Sequence, residues 1–389
     1  MDSEERILYP MKFIPVPGIR VWGGDRMVSE YGKKLFVSEG RRRRMVTAGD
    51  SVGECYDVAD LGYVDSMIDN GWFGGNTIGD LMKTYLERVV GEKSFGWYGT
   101  QFPVTVKWID ARRRTPLTVN PDDETAEQRY DAFGRTALWY VAEAGPGAAL
   151  YLGFADRTDA GEFYSRCADG SVAELLNVVR PKKGDSFLIS PGTVHAAEDV
   201  VLVEVSEASG ISFAVHDWGR EGAEENTALQ LEEAFDIIDF GPYRRCGEDG
   251  RCRHDHHEHH DHHDHHEHHD HDEGHGGPAE KLSECAHFTV SEIRLQDPMH
   301  IYSGRFDSFL LYVCVEGSAS LQFASGDGKG TEQFVLRKGE TALVPAEVPD
   351  FFLLPLEGGT VLIEAGAGVI PDAEEFCDEP GHHHDHICN

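Results

Sequence analysis

The sequence predicts a mainly β protein: two jelly-roll barrels in succession, with a small helical portion in the N-terminal half. Three features carry that expectation. Short runs alternating between apolar and polar residues, bounded by Gly, Pro, Asn and Asp, recur through residues 1–243 and again through 281–370. A stretch nearly free of apolar side chains, 244–280, separates the two parts. One local pattern, a glycine turn feeding a strand that ends at proline or shortly before it, occurs once in each part. With 389 residues the chain is long enough for two ordinary domains.

In the first part, Thr77–Val90 reads as a helix with Ile78, Leu81, Met82, Tyr85 and Val89 on its apolar face. Phe102–Asp110, Leu138–Ala142 and Val200–Val205 read as strands, and Asp159–Leu176 as a second helical stretch. In the second part every segment is a short strand: Phe288–Ile293, Phe309–Glu316, Ser318–Phe323, Gln333–Leu336, Thr341–Pro345, Phe351–Leu354 and Thr360–Ile363. The shared pattern is K-G-D-x-strand-P-G-x-x-H at Lys183–His195 and K-G-E-x-strand-P-A at Lys338–Ala346. It is a recurrent corner of the double-sheet jelly roll called a cupin. In the first copy the strand delivers His195 to the barrel mouth, where cupins hold metal; the second copy offers no histidine. The expected division is a first cupin with helical insertions over 1–243, a disordered Cys-, His- and acid-rich linker over 244–280, a second cupin over 281–370, and an acidic Cys/His-rich tail over 371–389.

A formal charge of −34, spread along the chain, argues against nucleic acid and anionic membrane surfaces as partners. No stretch approaches the roughly 20 apolar residues of a membrane span, and the acidic N-terminus lacks a signal-peptide core; a cytoplasmic location is the default expectation. Arg41 to Arg44 form a local basic run that reads as a solvated turn. The cysteines follow no disulfide or zinc-knuckle spacing.

The linker carries the strongest chemical signal. It holds His254, His256, His257, His259, His260, His262, His263, His265, His266, His268, His269, His271 and His275, interleaved with carboxylates. Such a segment cannot bury a core. Imidazole suits zinc, nickel, copper and cobalt, with carboxylate as a compatible co-ligand. The tail adds Cys377, His382, His383, His384, His386 and Cys388. The expected partners are therefore divalent transition metals, zinc or nickel foremost; the competing reading is a solvated polar spacer. Cys246, Cys252 and Cys285 flank the run and could join a thiolate-containing site.

The residues also resemble type I mannose-6-phosphate isomerases of the short bacterial kind, over most of 11–220 and more weakly over 281–365. The shared landmarks are Val21–Trp22–Gly23–Gly24, Gly53–Glu54, Gly74–Leu81, Phe102–Pro103 through Lys107, Asp110 and Ala111, and Asn120–Pro121–Asp122–Asp123. Trp139–Tyr140–Val141, Pro191–Ala196 and His216–Arg220 complete the series. The resemblance implies interconversion of mannose 6-phosphate and fructose 6-phosphate by proton transfer between C1 and C2, with a zinc ion stabilising the developing oxyanion. It further implies four zinc ligands, in a Q-V-H-P-D-D strand, a K-T-E-x-W-Y motif and a G-T-V-H-A motif.

Here the chain departs from the pattern. Thr118 and Asn120 stand where the first motif has Gln and His, Ala137 stands where the second has Glu, and His195 alone is kept. The family's S-D-x-T-Y-R segment reads Ser209–Ala214, with Gly210 and Ala214 at its Asp and Arg positions. One imidazole with an amide and a hydroxyl is a poor zinc cage. The expected residual metal contacts are His195, Asn120 and Thr118, and His195 reads equally well as a satisfied barrel histidine. Lys107, Arg135 and Arg220 are the remnant catalytic candidates; Lys107, Asp110 and Arg135 are the candidate substrate pocket for a phosphate or carboxylate. Against these stand a structural ion pair of Arg135 with Asp110 or another acid, and a surface role for Arg220. Trp139 and Tyr140 read as core, and His216 as a satisfied histidine.

The first expectation is therefore an isomerase-like protein impaired in catalysis that binds divalent metal through its His-rich segments. The second is an active isomerase whose metal site is rebuilt from Asn120, His195 and Glu204 or Glu207, with help from Asp122. A metal-independent sugar or carboxylate binder is the third.

Overall fold

Among the described residues, four antiparallel sheets carry the fold, and most of the large apolar side chains are buried. The computed structural model describes residues 6–39, 42–220, 229–244, 279–325 and 330–368. The histidine run, Cys246, Cys252 and the tail cluster lie outside the described residues.

The largest sheet belongs to the first half. Its strands run in the order Leu176–Val179, Ala137–Phe154, His195–Glu207, Val104–Ala111, Val52–Val58 and Val16–Gly24, with Ser186–Ile189, Leu117–Val119 and Phe213–His216 attached to this path. A seven-stranded sheet runs Ala279–Glu284, Phe288–Leu295, Thr360–Ala367, Leu310–Glu316, Thr341–Val344, Met11–Ile14 and Met67–Ile68. Its last two strands come from the N-terminal end of the chain. A four-stranded sheet, Met299–Ile301, Phe351–Pro355, Ser318–Ala324 and Thr331–Arg337, completes the second half.

Both copies of the repeated pattern fold as expected. Gly184 and Gly339 adopt φ +92° and +84°, which an L side chain rarely tolerates, and each turns the chain into its strand, Ser186–Ile189 or Thr341–Val344. The strands read at Leu138–Ala142 and Val200–Val205 are parts of longer ones. Ala137–Phe154 and His195–Glu207 pair along almost their whole length, across a bulge at Gly145–Gly147. The helix expected over Thr77–Val90 is divided. Thr77 caps Ile78–Tyr85 in a reciprocal capping box with Asp80, Leu86 takes φ +53°, and a new turn runs Glu87–Val90. The stretch 159–176 likewise ends its α-helix at Asp169 and continues as a 3₁₀ turn.

Strand His195–Glu207 organises the site. Its even residues Val200 and Leu202 pack with Trp22, Ile109 and Trp139 inside the first barrel. Its odd residues Val201, Val203 and Val205 face a second core shared with Phe288, Val290 and Ile293 of the second half. This alternation is the period-two rule of a strand buried on both faces. It sends Glu204 into the barrel and Glu207 toward the neighbouring half. Strands Val16–Gly24 and Val52–Val58 cross at Gly23 and Gly53; a Cβ on Gly23 would stand 2.4 Å from the Gly53 nitrogen. Two of the sequence landmarks are therefore packing requirements.

Candidate functional site

The interior of the first barrel gathers Glu54, Lys107, Trp139 and Glu204 from adjacent strands and Arg135 from the segment that leads into Ala137–Phe154. Register places Lys107 opposite Glu204, and Glu204 opposite Trp139. Lys107 Nζ donates to Glu54 Oε1 at 3.0 Å and lies 3.4 Å from Glu204 Oε1. The Arg135 guanidinium bonds the same Glu204 oxygen, and also donates to the Ser209 carbonyl at 3.1 Å. Trp139 Nε1 donates to Glu204 Oε2 at 2.7 Å. Burial alone would raise the Glu204 pKa, but Lys107 and Arg135 outweigh it and hold it at about 2. Burial opposes the charge on Lys107, and Glu204 and Glu54 more than restore it, so its pKa is raised. Both cations are thus neutralised from within.

His195 is satisfied in the same interior. The Thr193 carbonyl lies 2.8 Å from Nδ1, so that nitrogen carries the proton and donates to it. Nε2 is left as the acceptor, 3.1 Å from the Thr118 hydroxyl. The ring also meets Trp139 edge to face, at 5.4 Å between centroids. Burial pushes the imidazole down to about 4, so it is neutral at pH 7.

Zinc does not fit at this position. The residue where the family resemblance implies a glutamate ligand, Ala137, is packed among Ile109, Trp139 and Ile189 in the apolar part of the barrel. The one imidazole has its acceptor nitrogen on Thr118, and the carboxylate that acts on it, Glu204, is already held by Lys107 and Arg135. Asn120 is buried, and its Oδ1 finds no hydrogen-bond donor. A Cβ at Gly210 would stand 2.7 Å from the ring of the exposed Tyr63, so the acidic side chain implied there would require that ring to move.

The structure divides the other candidates. Lys107 and Arg135 share the barrel interior. Asp110 does not: it lies on the opposite face of its strand, where its carboxylate accepts from Arg26 Nε at 2.8 Å and from the Arg26 backbone N–H at 2.9 Å. The expected pocket of Lys107, Asp110 and Arg135 is therefore corrected to Lys107, Arg135, Glu54 and Glu204. Arg135 is paired with Glu204 rather than Asp110. Arg220 pairs with Asp217 at 2.6 Å and donates to the Arg114 carbonyl at 2.7 Å, outside this cluster. His216 is buried against Trp218, and Tyr140 reaches across to Glu292 at 2.7 Å. Asp122 caps helix Asp123–Tyr130 by accepting from the Thr125 N–H at 2.9 Å. Glu207 faces away from Asn120 and His195, so these acids do not join a rebuilt cage around His195.

A second polar cluster, unread in the sequence, sits between the two halves. Asp123, Glu207 and His287 each offer one ligand atom, all within 4.8 Å of one another. Glu207 Oε1 lies 2.8 Å from His287 Nδ1, and Asp123 Oδ2 lies 3.8 Å from His287 Nε2. Burial pulls the His287 pKa down, but Glu207 and Asp123 raise it overall. The sequence signal was slight: Cys285–Ala286–His287 is a histidine beside a flagged cysteine, outside both His-rich clusters.

No family model matches the chain. A probable mannose-6-phosphate isomerase of Bacillus subtilis (strain 168), GmuF, is 28% identical over 234 residues, covering 59% of this chain and 68% of that protein. Mannose-6-phosphate isomerase ManA of the same organism is 24% identical over 347 residues, covering 88% of this chain and 95% of that protein. The crystal structure of the mannose 6-phosphate isomerase from Bacillus subtilis superposes with a TM-score of 0.73 at 22% identity, over 92% of this chain and 99% of that one. A mannose 6-phosphate isomerase bound with zinc and yttrium gives 0.63 at 14% identity, over 93% and 100%. Among the described residues no helix is long and apolar enough to cross a membrane. With the landmarks in order along the chain and the fold in agreement, the chain is a divergent member of the mannose-6-phosphate isomerase family.

Proposed function

We propose that this protein is an isomerase-family member impaired in catalysis, and that it binds divalent metal, zinc or nickel, through its His-rich segments. The observation that carries the first half is Glu204. An isomerase of this kind must bind a sugar phosphate and stabilise an oxyanion; here the two buried cations of the barrel, Lys107 and Arg135, are held by Glu204 and Glu54. A substrate anion would have to displace a carboxylate that is already hydrogen-bonded on both oxygens. The second half rests on the density of imidazole and carboxylate over 254–275 and 377–388.

Purified full-length protein, assayed with mannose 6-phosphate in a coupled assay with and without zinc, is expected to stay at background; turnover in either condition overturns the impairment. Titration with Zn²⁺ and Ni²⁺ is expected to give several ions per chain, with stoichiometry falling on deletion of 254–275. Unchanged stoichiometry overturns the metal reading.

A second reading is an active zinc-dependent mannose-6-phosphate/fructose-6-phosphate isomerase of carbohydrate metabolism. It is favoured by one feature, the buried and unpartnered Asn120 Oδ1, which would accept from a sugar hydroxyl entering the barrel. The same assay decides it. A sugar phosphate is then a partner in this second reading, as substrate. A cytoplasmic location accords with both.

A further inference from the structure

We propose that Asp123, Glu207 and His287 form a zinc-class divalent-cation site that bridges the two halves of the molecule. It is independent of the isomerase barrel and does not depend on metal binding by the His-rich segments.

The three ligands come from separate parts of the chain. Asp123 opens helix Asp123–Tyr130, Glu207 ends strand His195–Glu207, and His287 sits in the turn between Ala279–Glu284 and Phe288–Leu295. Zinc bonds carboxylate oxygen and imidazole nitrogen at about 2.0–2.2 Å, so its ligand atoms stand about 3–4 Å apart. The observed spread, within 4.8 Å, needs only a small inward movement of side chains.

Main-chain donors orient both carboxylates. Gly134 N–H donates to Asp123 Oδ1 at 2.8 Å, and Thr136 N–H donates to Glu207 Oε2 at 2.7 Å. Each acid therefore turns its other oxygen toward His287. This is the supporting arrangement that metal-binding carboxylates require.

Glu207 Oε1 is the telling atom. Glu207 is 1% exposed, and this oxygen has no hydrogen-bond donor. His287 Nδ1 is close, at 2.8 Å, and pairs with this oxygen when the imidazole is protonated. A buried carboxylate oxygen without a donor is costly, and a cation between it, the imidazole and Asp123 would supply its missing partner. Tyr98, packed on Phe133, makes a long hydrogen bond of 3.4 Å between its hydroxyl and His287 Nδ1. The Asp123 side is open: its side chain is 48% exposed, which leaves an entry path and room for a water ligand. The ion would tie the first barrel to the turn of the second.

The competing outcome is a plain ion pair of protonated His287 with two acids. The test is anomalous diffraction at the zinc edge from crystals of the full-length protein loaded with Zn²⁺. A peak within bonding distance of all three residues is expected. Well-defined side chains with no peak there overturn the proposal, whatever zinc binds elsewhere. Asp123→Asn keeps the acceptor for Gly134 and alters only the ligand oxygen of a half-exposed side chain, so it should fold. It is expected to abolish the peak and to remove roughly half or more of the zinc-induced rise in melting temperature; His287→Gln should do the same. An undiminished zinc-induced rise in both variants overturns the site.

Discussion

Replacing Glu204 with Gln should reveal what this carboxylate does. The amide keeps an acceptor for Trp139 Nε1 and nearly the same volume, so the change removes charge and little else. In the native barrel one Glu204 oxygen faces both Lys107, at 3.4 Å, and Arg135. Both cations are buried, 7% exposed each. Removing one partner of a buried ion pair costs about 3–5 kcal/mol. Lys107 keeps Glu54 at 3.0 Å, so the lower half of that range applies, about 3–4 kcal/mol. For a unit of this size that is a fall of roughly 6–16 °C in melting temperature. Scanning calorimetry without phosphate measures it. The second readout is rescue: an anion should take the vacated place, so inorganic phosphate or mannose 6-phosphate should stabilise Glu204→Gln and leave wild type nearly unchanged. A fall below about 2 °C, or equal stabilisation of both proteins by the anion, would refute the reasoning that Glu204 stands in for a substrate anion.

His195 is held neutral at about 4 against an ordinary 6.5, so the unfolded chain takes up its proton first as pH falls. Stability should be intact above pH 6.5 and fall progressively toward pH 4, by about 3 kcal/mol from this group; urea midpoints of His195→Gln across that window should decline less steeply. Glu204, held at about 2 against 4.5, adds stability that is present above pH 4.5 and lost as pH falls toward 2, a loss that Glu204→Gln should lack. Asp110→Asn should destabilise by about 3–5 kcal/mol because Arg26 loses its buried partner, yet leave the anion rescue of Glu204→Gln unchanged in the double variant. Gly23→Ala should cost about 1–3 kcal/mol in chemical denaturation, since its Cβ would meet main chain rather than a movable side chain.

The fold was legible wherever local chemistry dictates it. The two Lys-Gly-acid turns announced their strands because only glycine accepts the backbone conformation there, and the alternating segments placed nearly every strand of the second half. Legibility failed where tertiary pairing overrides local preference. Leu138–Ala142 reads as a short strand, yet the strand runs on to Phe154 through a bulge at Gly145–Gly147, because Asp199 accepts the Gly147 N–H and the partner strand continues on both sides. Thr77–Val90 reads as one helix because no sequence rule anticipates Leu86 at φ +53°. In the site, the residue types at the positions where the resemblance implies zinc ligands can be read directly, but their partners cannot. Arg135 and Glu204 are 69 positions apart, and their meeting depends on strand register. Asp110 was misplaced by ignoring parity along Val104–Ala111, which turns it away from Lys107. His287 was overlooked beside runs far richer in histidine.

Strand His195–Glu207 presents opposite electrostatics on its two faces. On its inward face, the loss of anionic and imidazole ligands would leave Lys107 and Arg135 as uncompensated buried charges, which a barrel could not sustain. Glu204 and Glu54 remove that penalty, and the apolar packing around Ala137 fills the space a ligand side chain would need. The interior is thereby charge-balanced, so an entering phosphate would have to displace a carboxylate from Lys107 and Arg135. On the outward face of the same strand the signs are reversed. Glu207 presents a buried, donor-free oxygen toward an imidazole and a second acid, the arrangement that a cation stabilises. At the proposed site, a cation is therefore favoured on the outward face of this strand rather than in the barrel interior.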